Sequence, residues 1–195
     1  FAIHLQELRR LIGPAYNEMV LIGPALSESQ AASQSAHMTT LERTGSGIRF
    51  LPAFALNVSR ARFLLRRWGP TWRWLKQQFA GPCVVHSGMS TELARPLMFM
   101  ASLAGWRMGR PVVFMVDMDW RMHARRFRQT GEWGTGTYLV NRLLYDPLKW
   151  LQLWLAPRLF DVCCFKGETL VRDFGRGRPN VHKFHDTVHG AADVL

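Results

Sequence analysis

The sequence predicts an α/β protein built on a parallel, Rossmann-like sheet with helices on both faces. Short apolar runs alternate with longer helical patterns along the chain, which is typical of β-α-β units. Residues 112–116 (VVFMV) are apolar at every position, as expected for a central parallel strand that helices cover on both sides. Parallel strands also require long crossover connections, and the helical segments between the apolar runs can supply them.

Six short apolar runs, bounded by Gly, Pro or polar residues, predict the strands. In chain order they are 18–22, 48–51, 83–85, 112–116, 161–165 and 181–184. Gly23-Pro24 is expected to end the first strand and Pro52 the second, because proline cannot donate a hydrogen bond to a sheet. The segment 26–47 between these two strands is polar and rich in Ser, Ala and Gln, so it predicts a long loop.

Apolar residues at three- and four-residue spacing predict the helices. In chain order these are 2–12, 60–79, one that starts near Ser90 and Thr91, 138–155 and 168–174. Gly69-Pro70 is expected to break or kink the second helix, and Pro147 the fourth, because proline removes a helical hydrogen bond. Residues 121–136 are basic and interrupted by glycine, which predicts a loop.

Composition limits the class of protein. The chain has 195 residues, 48% hydrophobic and 20% charged, which is enough for one domain with its own core. Its formal net charge of +11 indicates either an anionic partner or only Arg-rich codon usage. Three cysteines without a C-x-x-C pair exclude a disulfide framework and favour a reducing, cytoplasmic setting.

Polar or glycine-bearing residues directly follow four of the predicted strands. Ligands of open parallel sheets bind at the carboxyl ends of the strands, and the helix N-termini that follow attract anionic groups. We therefore expect these strand ends to share one edge of the sheet. They are Gly23-Pro24, His86-Ser87-Gly88, Asp117 to Trp120, and Lys166-Gly167-Glu168.

The pair Asp117 and Asp119 is the most specific of these features. Two carboxylates one residue apart at the end of a buried strand can hold sugar hydroxyls or a divalent metal, or can simply cap a helix and face solvent. The same D-x-D spacing occurs in metal-dependent nucleotide-sugar transferases. We expect Asp117 to be catalytic and Asp119 to contact the substrate, with no bound metal.

The remaining candidate substrate-binding residues lie at the neighbouring strand ends. Histidine side chains in general change charge near neutral pH, so His86 could donate a hydrogen bond or act as a base. Ser87 and Gly88 predict a tight turn whose N–H groups suit an anion. Lys166 and Gly167 would bring a cation and a flexible backbone to the start of the next helix.

Two stretches combine cations with tryptophan, residues 60–76 and 148–160. Helices that lie in a membrane interface have this composition, although core-facing helices with an ordinary solvated face can also have it. Peripheral association with an anionic membrane is therefore a second hypothesis about the partners of this chain.

Residues 83–174 resemble the N-terminal domain of GT-B glycosyltransferases, especially the large retaining family 4. The resemblance is carried by the VVHSG segment with the helix after it, by GRPVVFMVDMDW, and by the strand-turn-helix DVCCFKGETLVRDFG. The first fifty residues also follow the order of elements in that domain.

The resemblance implies a hexosyltransferase of carbohydrate biosynthesis that moves a sugar from a nucleotide-sugar donor, its co-substrate, to an acceptor hydroxyl. It implies retention of configuration and no cofactor, and it places Asp117 near the transferred sugar. Residues 1–184 would be the acceptor-side domain and 185–195 the start of an interdomain linker. The family's first strand and its donor-binding C-terminal domain are missing, so we expect this fragment alone to be inactive.

Two other classes of function stay open. The first is a metal-dependent D-x-D sugar transferase that uses both aspartates. The second is a basic module without enzymatic activity that binds an anionic surface or nucleic acid, although no helix-turn-helix, RRM or zinc-finger pattern is present and no nucleic acid is expected. A noncatalytic remnant of a transferase would have the same sequence features.

Overall fold

The computed structural model describes residues 9, 10, 12, 13, 15, 16, 18–27, 31 and 47–184. The chain forms two compact units, Phe1–Arg67 and Trp68–Leu195. Each unit contains a parallel sheet, and the helices around the larger sheet give a Rossmann-like α/β fold. The predicted fold class is confirmed.

The first unit contains a two-stranded parallel sheet of β1 (Met19–Ala25) and β2 (Ile48–Ala55). Both strands continue through the prolines that were expected to end them, so these predicted ends are wrong. Pro24 is accommodated because the register shifts between Gly23 and Pro24. In a two-stranded sheet each strand also has one unpaired side, where a missing N–H costs nothing.

Met19 and Ile48 form the small buried core of this unit, with Ile12 and Leu21 packed against them. The unit ends with a short helix, α1 (Arg60–Arg62), and a π-helical turn, Phe63–Arg67. Most of the predicted helix 2–12 and of the predicted loop 26–47 lies outside the described residues.

The second unit contains a four-stranded sheet in which every neighbouring pair is parallel. Its strands, in both chain and sheet order, are β3 (Val85–Gly88), β4 (Val112–Val116), β5 (Val162–Lys166) and β6 (Val181–Phe184). The predicted bounds of β4 and β6 are confirmed, whereas β3 and β5 begin and end later than expected. The side chains of Val112, Phe114 and Val116 are almost fully buried, as a central strand requires.

Within residues 68–184, six helices accompany this sheet. They are α2 (Trp68–Gln78), α3 (Leu97–Arg107), α4 (Trp120–Gln129), α5 (Thr135–Val140), α6 (Asp146–Leu159) and α7 (Glu168–Leu170). A π-helical turn, Asn141–Tyr145, joins α5 to α6, and another, Val171–Gly175, follows α7. Among the described helices, none is both long and apolar enough to cross a membrane.

Prolines do not break these helices where the sequence predicted a break. A π-helical turn lies directly before each of them, Phe63–Arg67 before Gly69-Pro70 and Asn141–Tyr145 before Pro147, and the backbone stays helical through both prolines. Such local π-helical turns are a known irregularity within α-helices. The helix expected from Ser90 or Thr91 begins instead at Leu97, directly after Pro96.

The predicted loop 121–136 is also wrong, because α4 and the start of α5 occupy it. Arg, Met, Ala and Gln, which dominate residues 121–129, are good helix formers. The helix buries Trp120 and Ala124 and exposes its arginines, so its stability comes from one narrow apolar face.

Cys163 provides a direct check on the packing of β5. The side chain is fully buried, and burial raises the pKa of its thiol to about 12. Because the thiolate is the reactive form, we expect Cys163 to resist iodoacetamide at pH 8 while the half-buried Cys83 and Cys164 are alkylated first. Peptide mass spectrometry after timed labelling measures this order, and equally fast labelling of Cys163 would contradict the packing.

Candidate functional site

The carboxyl ends of β3, β4 and β5 are neighbours at one edge of the four-stranded sheet, because all of its strands run in the same direction. The register places Gly88 beside Met115, and Val116 beside Phe165. Three of the four predicted strand ends therefore come together. The fourth, Gly23-Pro24, lies inside β1 of the two-stranded sheet, so the expectation that all four share one edge is wrong.

Asp117 directly follows the central strand β4 and is exposed. Within the described part of the chain, its carboxylate makes no hydrogen bond or ion pair. Its position is nevertheless defined, since β4 precedes it and α4 begins three residues later. An available carboxylate at this edge can accept hydrogen bonds from sugar hydroxyls or accept a proton.

Asp119 is engaged by the protein itself. Its Oδ1 accepts hydrogen bonds from the backbone N–H of Arg121, at 3.0 Å, and from Nε of the same residue, at 2.9 Å. Its Oδ2 accepts from Nη2 of Arg121 at 2.8 Å. Asp119 thus caps the N-terminus of α4 and forms a two-pronged ion pair.

The second carboxylate partner of Arg121 lies on the π-helical turn after α7. Nη1 of Arg121 donates to Oδ2 of Asp173 at 2.7 Å, and the guanidinium lies over the Trp120 ring. This arrangement does not favour the D-x-D metal hypothesis, because a guanidinium already occupies the oxygens that a metal would need. Among the described residues, no group of three His, Cys, Asp or Glu side chains is placed to hold a metal ion.

The residues His86, Ser87 and Gly88 lie within β3, and the tight anion-binding turn predicted for Ser87 and Gly88 is therefore wrong. The Ser87 hydroxyl donates to the carbonyl of Met98 at 3.1 Å and is also hydrogen-bonded to the Ser102 hydroxyl. Ser87 therefore fastens β3 to α3, while His86 is exposed. The predicted strand ended too early because the prediction followed apolar residues alone. Polar residues can also continue a strand at the edge of a sheet, where β3 lies.

The loop after β3 is held by a residue that the sequence analysis did not single out, Gln152 of α6. The backbone N–H of Ser90 donates to Oε1 of Gln152 at 2.9 Å, and Nε2 of Gln152 donates to the carbonyl of Ser90 at 3.2 Å. The Ser90 hydroxyl accepts from the N–H of Phe99 in α3 at 2.9 Å. These bonds fix the position of the loop at the carboxyl edge of the sheet.

At the end of β5, Lys166 is half-buried and Gly167 has a φ of 79°, a conformation that favours glycine. Glu168 forms an ion pair with Lys183 of β6, in which Nζ of the lysine lies 2.7 Å from Oε2 of the glutamate. Lys183 thus adds a cation to this edge that the sequence analysis did not identify. The structure brings Lys166 and Gly167 to the same edge as Asp117, as expected from the parallel strands.

A cleft of about 350 Å³ opens beside the N-terminus of α4. Its walls include two indoles, two guanidinium groups and one carboxylate, from Trp120, Trp150, Arg121, Arg142 and Asp146. Trp120 is buried and its Nε1–H has no acceptor within the described structure, whereas Trp150 is 49% exposed. Indole faces suit the apolar face of a sugar ring, and guanidinium groups suit phosphate.

The ion pair between Arg121 and Asp173 predicts a specific dependence of stability on pH. The Arg121 guanidinium holds the pKa of Asp173 below its usual value, so the pair stabilises the fold above about pH 4 and is lost as the pH falls through the lowered pKa. We expect Asp173→Asn to lower the free energy of unfolding by less than about 1 kcal/mol at pH 7, because the pair is partly exposed. Urea unfolding between pH 2 and 7 should show this gap closing in acid, and a gap independent of pH would contradict the pairing.

Asp117, Asp119, Lys166 and Gly167 therefore meet at one edge, and Gly88 ends the strand beside them. Their substrate-binding and catalytic roles stay predictions, as does the single domain over residues 1–184. Searches of protein-family models, curated proteins and solved structures each gave no match to this chain.

Proposed function

We propose that this chain is the acceptor-side half of a glycosyltransferase that moves a sugar from a nucleotide-sugar donor to an acceptor hydroxyl. The observation that carries the proposal is the available carboxylate of Asp117 at the carboxyl end of the central strand. Ligands of open parallel sheets bind at this edge. The resemblance of residues 83–174 to GT-B enzymes of family 4 supports the same reaction.

In this proposal Asp117 accepts a hydrogen bond from a sugar hydroxyl and orients it for transfer. Orientation alone can supply a large part of the rate acceleration, relative to the reaction in solution, when two molecules react while bound to a protein. The exposed indole of Trp150 offers a flat apolar surface for a sugar ring.

Positive charge near this edge suits the phosphate groups of a nucleotide sugar or of a phosphate-linked acceptor. Arg142 is the more adaptable of the two guanidinium groups in the cleft, since its side chain is 59% exposed and its ion pair with Asp146 is long, at 3.4 Å. Arg121 is neutralised by Asp119 and Asp173, so Arg142 is the guanidinium of the cleft that a phosphate group would contact.

The proposal includes retention of configuration, transfer without a metal, and a cytoplasmic location at the inner surface of a membrane. It also assigns donor binding to a second α/β domain downstream, carrying two glutamates in an E-x7-E arrangement.

A transfer assay tests the proposal. The product of the whole reading frame and this chain alone are each incubated with UDP-glucose or GDP-mannose and a set of acceptors, namely methyl glycosides and a polyprenyl phosphate. Release of nucleoside diphosphate that requires both an acceptor and the whole product is expected. Turnover by this chain unaided would contradict its role as half an enzyme, and no acceptor-dependent release from the whole product would contradict the transferase itself.

A further inference from the structure

The helical segment from α5 through the π-helical turn to α6 presents large apolar side chains to solvent. Each of these side chains is between 38 and 75% exposed, and together we call them the apolar ridge. The ridge consists of Leu139, Val140, Leu143, Leu144, Leu148, Trp150, Leu151 and Trp154. Most of them recur at three- and four-residue spacing, so they form one continuous face about 24 Å long.

The opposite face of the same segment is buried, and polar side chains share it with Leu153 and Ala156. Asn141, Asp146, Lys149 and Gln152 are each no more than 8% exposed. Nδ2 of Asn141 donates to Asp146 at 3.0 Å, and Nζ of Lys149 donates to Asn141 at 3.3 Å. These bonds offset the cost of burying polar groups.

A helix on the surface of a water-soluble domain buries its apolar stripe and exposes its charges, whereas this segment exposes the large apolar side chains of the ridge and buries Asp146 and Lys149. An apolar surface of this extent marks a contact with another molecule. The segment therefore has a nonaqueous neighbour on the side of the ridge.

The charges around the ridge indicate what kind of molecule lies against it. From α4 to α6 the exposed charged side chains are five arginines, at 125, 126, 128, 142 and 158, and one glutamate, Glu132. The arginines at 125, 126 and 128 are exposed on α4, which packs against α5. The guanidinium of Arg158 lies 3.8 Å from the centre of the Trp154 ring, so a cation and an indole are paired at one end of the ridge.

We infer that the apolar ridge lies in the surface of an anionic lipid bilayer. The leucines reach the boundary of the acyl chains, the indoles and Arg158 lie at the level of the headgroups, and the arginines of α4 attract the anionic lipid. A second copy of the chain is a poorer occupant of the ridge, because it would bring two surfaces of the same charge together. This inference does not depend on the proposed transferase activity.

Co-sedimentation with vesicles tests the inference. The wild-type protein should bind vesicles of phosphatidylglycerol and phosphatidylcholine, bind pure phosphatidylcholine less, and lose affinity as the salt concentration rises. The double variant Leu143→Asp, Leu144→Asp removes two of the most exposed ridge residues and should bind at least about tenfold more weakly. Circular dichroism should show that it is folded, since both side chains are exposed in the wild type.

The matched control is Met98→Asp, an apolar residue of α3 that is 50% exposed and lies outside both the ridge and residues 60–76. It should bind vesicles as the wild type does. Absence of binding to anionic vesicles at low salt would overturn the inference, and so would equal loss of binding in the control. Self-association in analytical ultracentrifugation that the ridge variant abolishes, without any lipid binding, would assign the ridge to a second copy and would also overturn it.

Discussion

Replacing Asp117 with asparagine should lower the rate of sugar transfer about 10²- to 10³-fold and leave the free energy of unfolding unchanged. The loss is expected because asparagine keeps the size of the side chain but removes the negative charge that accepts the hydroxyl hydrogen. Stability should not change, since within the described structure Asp117 has no partner to lose. Initial rates of nucleotide release by the product of the whole reading frame, with urea unfolding of each variant, measure both quantities.

Asp161→Asn is the control for this prediction. Asp161 precedes β5 at the amino end of the sheet, where its Oδ2 accepts a hydrogen bond from the N–H of Val112 at 2.8 Å. The same change at this end should leave transfer unchanged and affect stability alone. Wild-type rates in Asp117→Asn, or equal losses in both variants, would remove Asp117 from the catalytic site.

Gly88→Ala should lower the free energy of unfolding by about 3 kcal/mol, at the upper end of the cost of overpacking. A methyl group on Gly88 would overlap the carbonyl oxygen of Met115 in the neighbouring strand. The backbone of β4 is central in the sheet and cannot move aside without disturbing its other neighbour, β5. Urea unfolding of the purified variant measures the loss.

Gly81→Ala provides the matched control, because a methyl group there would meet nothing within 4 Å. Its stability should be unchanged or raised by up to about 1 kcal/mol through the less flexible unfolded chain. A Gly88 variant as stable as the control would contradict the close approach of β3 and β4.

The central part of the fold could be predicted from local patterns, because β4 and β6 are short apolar runs with clear polar ends. The ends of β1 and β2 could not, since proline is excluded from the middle of a sheet but tolerated where one side of a strand is unpaired. The helix α4 was missed for a different reason. Its apolar face is narrow, and a basic stretch followed by several glycines is also typical of a loop, although arginine is a good helix former.

The site was predictable only in part. Asp117 was found because a general rule places ligands at the carboxyl ends of parallel strands. The ion pair of Arg121 with Asp173 spans 52 residues, and the bonds of Gln152 with Ser90 span 62. Such partners are set by tertiary packing and leave no signal in the local sequence.

The apolar ridge was visible in the sequence as composition but not as geometry. The tryptophans and leucines of 148–160 already suggested an interfacial helix. The buried polar residues opposite the ridge strengthen that suggestion. Two of them, Asn141 and Asp146, lie outside that stretch.

The central claim is that a sugar-bearing ligand binds at the carboxyl edge of the sheet beside Asp117. NMR spectra of the 15N-labelled protein, titrated with methyl glycosides of glucose, galactose and mannose and with UDP-glucose, test it most directly. We predict that at least one of these compounds shifts the amide signals of residues 117–121 and the indole N–H signals of Trp120 and Trp150, and that Asp117→Asn abolishes the shifts. Shifts centred on the amino end of the sheet around Asp161, or no shifts with any of these compounds, would contradict the claim.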